Sequence, residues 1–124
     1  MTRASAAALA FWAAAEARDW SGFGALLADD VVYELPQSRE RIRGKAAYLR
    51  FNVEYPGEWH LTVRRVVGEQ RQATTWCHFV TGGEPGEALT FFEFDEAGLI
   101  TTITEFWPEP YEPPPGREHL VERF

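Results

Sequence analysis

From Trp59 onward, four segments, "WHLTVRRVV", "ATTWCHFVT", "EALTFFEF" and "LITTITEFW", are dense in Thr, Val, Ile and aromatic residues and are separated only by short turn-like stretches. Side chains of this kind fit a pleated surface. Connections this short join neighbouring strands only in antiparallel fashion. The second half of the chain is therefore expected to be a meander. The first half reads differently. Residues 4 to 18 are dominated by alanine, with Leu9 and Trp12 three apart, as in a closely packing helix. In "RDWSGFGALLADD", Trp20, Phe23, Leu26 and Leu27 recur at helical spacing, Asp19 can cap the start, and Asp29 with Asp30 ends the pattern. A break near Arg18 and Asp19 makes the two helices a hairpin.

"VVYEL", Val31 to Leu35, is a short strand stopped by Pro36. After a polar loop, "GKAAYLRFNVEYPG" sets Ala47, Tyr48, Phe51 and Tyr55 on one helical stripe that Pro56-Gly57 terminates. Helices first and a long sheet afterwards is an α+β order, not an alternating one. The expected architecture is a cone-like curved antiparallel sheet with three N-terminal helices over its concave face. At 124 residues the chain is one domain, 1–124, with 108–124 as a proline-rich tail, since Pro108, Pro110, Pro113, Pro114 and Pro115 allow no regular element. "REHLVERF" is expected to add one last helical turn, with Leu120, Val121 and Phe124 on one side.

Charge and composition narrow the function classes. A formal charge of −7, with dispersed Arg and Lys, leaves no phosphate-neutralising surface, so neither nucleic acid nor an anionic membrane is an expected partner. No apolar run reaches membrane-spanning length, and the alanine-rich start reads as a mature helix, so the expected location is cytoplasmic. The single cysteine, Cys77, has no disulfide partner within the chain and reads as a small buried hydrophobe. His60, His78 and His119 have no metal-ligand spacing, and neither metal nor cofactor is expected. "GGEPG", Gly82 to Gly86, lacks the strand-to-helix context of a phosphate loop and reads as a hairpin turn. Aromatics are costly to expose, so five Trp and nine Phe must line a core, a pocket or an interface.

The residue that invites chemistry is Glu105, set between a β-branched run and a Phe-Trp pair. If Glu96 and Ala97 are the centre of a two-residue turn, Asp95 faces Gly98, Phe92 lies opposite Thr101, Thr90 opposite Ile103, and Ala88 opposite Glu105. One face then carries Ala88, Thr90, Phe92, Phe94, Ile103, Glu105 and Trp107; the other carries Leu89, Phe91, Glu93, Ile100, Thr102, Thr104 and Phe106. Both faces are substantially apolar, so the helices cover one and a second subunit is expected on the other. With the first face inward, Ala88 leaves space beside the carboxylate. Desolvation then raises the Glu105 pKa and suits it to act as a general base. His78 shares a strand face with Trp76, opposite Cys77 and Phe79. It either partners Glu105 as an acid/base pair or points to the outer side; parity alone leaves both open. Tyr33 can donate to a ligand carbonyl, whereas Tyr48 and Tyr55 read as packing residues.

The order of elements and the phrases "FGALLADDVVYELP", "RIRGKAAYLRF" and "FFEFDEAGLITTITEFWPE" resemble the nuclear transport factor 2-like superfamily, in particular its SnoaL-like branch, over residues 4 to 108. The resemblance implies a cone with a cavity. Activity is left wide open by it, because the superfamily includes isomerases, polyketide cyclases, dehydratases, epoxide hydrolases and members that only bind or dimerise. Carried over from its ketosteroid isomerases, the place of the catalytic aspartate falls on Leu35, that of the second acid on Thr90, and that of the first-helix tyrosine on Trp12. Those departures remove that chemistry. The cavity tryptophan aligns with Trp107, and Glu105 aligns with a cavity-facing position that is apolar in those enzymes. The resemblance thus implies a cavity for a small apolar ligand, and the reading of the residues themselves supplies Glu105 and His78 as candidate catalytic residues. Trp12, Tyr33, Leu35, Phe51, Ala88, Thr90, Phe92, Ile103 and Trp107 are the candidate lining. The expected functions are a cofactor-independent isomerisation, cyclisation or dehydration, or alternatively noncatalytic ligand binding or dimerisation on the same fold.

Overall fold

The computed structural model describes residues 1–124. Thr2 starts α1 (Arg3–Ala17) through a reciprocal capping box with Ser5. The alanine content of α1 has a steric purpose. Ala4, Ala8 and Ala15 face inward with Phe11 and Trp12, whereas Leu9 sits at the edge, half-buried. The backbones come so close here that a Cβ on Gly68 would lie 2.7 Å from the Ser5 nitrogen. Arg18 ends the helix in the left-handed region (φ 58°), and the Asp19 side chain caps α2 (Trp20–Ala25) by accepting from the Gly22 N–H at 3.0 Å. The expected break is where the sequence put it.

The second helix is shorter than its apolar spacing suggests. Leu27 already belongs to β1 (Leu27–Leu35), where it pairs with Ile100. The polar loop after Pro36 contains a further strand, β2 (Glu40–Arg43), which pairs with β1 and leads through Gly44 (φ 93°) into α3 (Lys45–Val53). Four strands follow: β3 (Trp59–Glu69), β4 (Gln72–Thr81), β5 (Glu84–Phe94) and β6 (Ile100–Phe106). They form the anticipated antiparallel meander, and Gly82-Gly83, both at positive φ, make the two-residue turn between β4 and β5. The six-stranded order is β2-β1-β6-β5-β4-β3. β1 runs parallel to β6, so the curved, unclosed sheet is mixed.

The hairpin register differs from the expectation by two positions. Asp95 closes a longer turn, accepting from the Leu99 N–H on its side chain and from the Gly98 N–H on its carbonyl, with Gly98 at φ 89°. Thr90 therefore faces Glu105, Phe92 faces Ile103, and Ala88 pairs with Cys77 on β4. A slip of two preserves which face each side chain occupies. Thr90, Phe92, Ile103 and Glu105 thus remain on the inner face, all buried. Ile100 is the exception: an irregularity between Glu93 and Phe94 turns it from the expected outer face into the core, where it is fully buried.

Candidate functional site

Between α1, α3 and the concave face of the sheet lies a cavity of about 140 Å³. Trp12 and Ala15 contribute from α1, Tyr48, Phe51 and Asn52 from α3, and Tyr33 and Leu35 from β1. Tyr55, Trp59, Phe79, Thr81, Glu105 and Trp107 complete the wall. The candidates Trp12, Tyr33, Leu35, Phe51, Glu105 and Trp107 are brought together here. Ala88, Phe92 and Ile103 are not: they lie in the hydrophobic core and do not line the cavity. Tyr48, Asn52 and Tyr55 were accessible to sequence reasoning, since they continue the α3 stripe through Phe51. Phe79 shares its strand parity with the buried Cys77.

Glu105 is 5 % exposed and is held by protein donors. Tyr33 donates its hydroxyl to Oε1 at 2.6 Å, Thr90 donates to Oε2 at 2.6 Å, and the Trp107 indole N–H reaches Oε1 at 3.1 Å. Thr90 is in place because it faces Glu105 across the β5/β6 ladder; Tyr33 is in place because β1 lies beside β6. The open space expected beside the carboxylate from Ala88 is therefore occupied by a hydroxyl donor. Burial pushes the Glu105 carboxyl above its ordinary value, while the bonds from Thr90, Tyr33 and Trp107 favour the ionised form. Burial and the neighbouring Glu105 charge hold the Tyr33 phenol well above its usual range. A carboxylate has about four acceptor positions. The three donors leave one of these positions unfilled.

His78 does not partner Glu105. It lies on the opposite face of the sheet, where Nδ1 meets Glu87 Oε2 at 2.5 Å, and Glu87 Oε1 accepts from Trp76 Nε1 (2.9 Å) and Arg64 Nε (3.0 Å). Alternation fixes this: Cys77 and Phe79 are buried inward, so Trp76 and His78 must point out. Burial raises the Cys77 thiol to about 12, which leaves it a packing residue. No group of three or more His, Cys, Asp or Glu side chains converges as a metal site, and no helix is long and apolar enough to cross a membrane.

The model of the SnoaL-like domain matches residues 8–103. The chain belongs to the SnoaL-like family. Within it, this SnoaL-like domain is similar to a protein of Kribbella flavida DSM 17836 provisionally called a ketosteroid isomerase, with 49% identity, 98% of this chain and 90% of that one covered, and a TM-score of 0.95. An NTF-2 like protein of unknown function from Burkholderia xenovorans LB400 is 28% identical, over 98% of this chain and 95% of that one, with a TM-score of 0.83. The fold alone is shared with Rv0760c of Mycobacterium tuberculosis, solved in complex with estradiol-17beta-hemisuccinate, at 24% identity, 87% and 95% coverage, and a TM-score of 0.73. No protein of curated function matches the sequence. The family places the chain among NTF2-like α+β proteins related to ketosteroid isomerases.

Proposed function

We propose that this SnoaL-like domain binds a small, largely apolar molecule in its cavity and moves a proton on it through Glu105, without a cofactor. The observation that carries this reading is one buried carboxylate, raised in pKa, on the wall of a largely aromatic cavity. A carboxylate shielded from water is a stronger base than one in solution, and a cavity that excludes water preserves the carbanion-like species it creates. In an isomerisation, Glu105 takes a proton from carbon next to a carbonyl, electron density moves onto the oxygen, and the same proton returns at another carbon. The cavity sets the scale of the ligand. A void of about 150 Å³ holds a benzene-sized molecule, so a single ring fits and a steroid does not enter without movement of the walls. A panel of enolisable cyclic ketones should show turnover that falls by roughly 10²- to 10⁴-fold in Glu105→Gln while binding persists. Unchanged turnover in that variant removes Glu105 from the mechanism.

One observation favours a second reading, noncatalytic binding: Glu105 already accepts from Tyr33, Thr90 and Trp107, an arrangement that also suits a carboxylate whose task is to brace the cavity wall. Binding of the same ketones with no proton exchange in the wild-type protein selects that reading. In either case a second copy of the chain covers the outer sheet face. Supporting this, Trp76 (37 %), Val80 (37 %) and Phe91 (45 %) are exposed there, and Phe91 stacks edge-on against Phe106 at 6.1 Å.

A further inference from the structure

The segment after Trp107 is built unlike the rest of the chain. Its first part, "PEPYEPPP" from Pro108 to Pro115, holds five prolines and forms no helix or strand, and a single turn of 3-10 helix, Glu118–Leu120, follows. It is ordered by its own bonds. Arg123 reaches back to Glu112 at 3.4 Å, and the Gly116 N–H bonds the Glu118 carboxylate at 3.1 Å. These ties stay within the tail, while its apolar side chains face solvent: Tyr111 is 81 % exposed, Leu120 73 % and Val121 49 %. Only the root is anchored. The Trp107 N–H donates to Gln37 Oε1 at 2.6 Å and the Trp107 ring lines the cavity, so the tail leaves the sheet at the end of β6.

The outer sheet face offers what such a segment needs. Direct pairing sets Arg65, Trp76, Leu89 and Phe106 in one row across β3 to β6, and the row ends where the tail is about to begin. Proline-rich segments, already extended, lose little freedom on docking and seat against aromatic surfaces. Charge agrees. Arg64 and Arg65 each hold a guanidinium 5.8 Å from the Trp76 ring centroid; Arg64 is paired with Glu87, whereas Arg65 has no acidic partner. In the tail, Glu112 and Glu118 are engaged, whereas Glu109 and Glu122 have no basic partner. Both halves of a contact are thus carried on one chain, yet within it the tail and the row stay exposed. Two copies related by a two-fold axis supply two tails and two rows, which satisfies both and closes the assembly.

We infer that the tail is an arm exchanged between two copies of the chain, with Tyr111 and Leu120 lying on the Trp76, Leu89 and Phe106 row of the other copy. The inference rests on the outer-face pairing proposed above and names the element that makes it. Its test is intermolecular. A nitroxide is attached to a Glu122→Cys copy without isotope label; Cys77, buried and with its thiol raised to about 12, does not compete for the reagent. This copy is mixed with isotope-labelled wild type. The Trp76 indole signal of the labelled copy should lose most of its intensity, while that of Trp20, on the helix side of the sheet, keeps it. Tyr111→Ser with Leu120→Asp should abolish the loss and raise the dimer dissociation constant by roughly tenfold, the far-ultraviolet spectrum staying unchanged. Loss at Trp76 only when nitroxide and isotope share one molecule means that the tail folds back on its own copy, and overturns the exchange. So do equal losses at Trp76 and Trp20, or none. Sedimentation of the wild type separates the two claims. A dimer without the Trp76 loss leaves the outer-face pairing standing and removes the arm, whereas a monomer at every concentration removes both.

Discussion

Glu105 is the residue at which pH, stability and the proposed function meet. Its folded-state pKa is raised, chiefly by burial. At pH below the ordinary carboxylate value both folded and unfolded forms are protonated, and the preference for a neutral Glu105 is fully present. As pH rises from that value through the folded pKa, the unfolded chain ionises first and stability declines. Denaturant unfolding across this window should show that decline in the wild type and lose that component in Glu105→Gln. Thr90→Val, which removes the first of the bonds that favour the anion, should move the Glu105 titration further upward; a carboxyl-carbon NMR titration reads the shift. Alternation along β6 put Glu105 on one face with Ile103 and Trp107, and the family resemblance, not the alternation, pointed that face inward. Its partners were legible from neither, because Tyr33 reaches it across 72 positions of sequence through a parallel pairing that no local pattern announces. His78 illustrates the converse: strand parity told which neighbours shared its side, but only the burial of Cys77 told which side was inner.

At the level of elements, α1 is held to the sheet by close approach and by one buried polar tie. The Trp12 indole donates to Thr75 Oγ1 at 2.9 Å, both residues being buried. Thr75→Val keeps the shape and strands the N–H, so it should cost about 1–3 kcal/mol in chemical denaturation. Gly68→Ala forces β3 away from the first turn of α1 and should cost a similar ~1–3 kcal/mol. The helix pair, its break at Arg18 and the meander could be read from spacing and turn residues. The end of α2 could not, since Leu26 and Leu27 fit either a helical stripe or the start of a strand, and pairing of Leu27 with Ile100 decided the matter. β2 was hidden for a similar reason. Its sequence "ERIR" is polar, and it exists because it pairs with the edge of β1.

For the molecule as a whole, the outer sheet face leads to an assembly prediction. Sedimentation across a concentration series should give a dimer, and Trp76→Asp with Phe91→Asp should shift it to monomer with the far-ultraviolet spectrum unchanged; a wild-type monomer at every concentration refutes the pairing. The topology of the sheet has a different reach. Because β1 is flanked by β2 and by β6, its inner edge has no neighbour until nearly all of the chain is available, and the acid and its tyrosine are supplied from opposite ends of the polypeptide. On the ribosome, then, the amino-terminal strand and the helices must wait with one edge bare while the meander is synthesised. The last strand to emerge both joins β1 to the meander and delivers the ionisable group, so a nascent chain cannot own a half-built cavity.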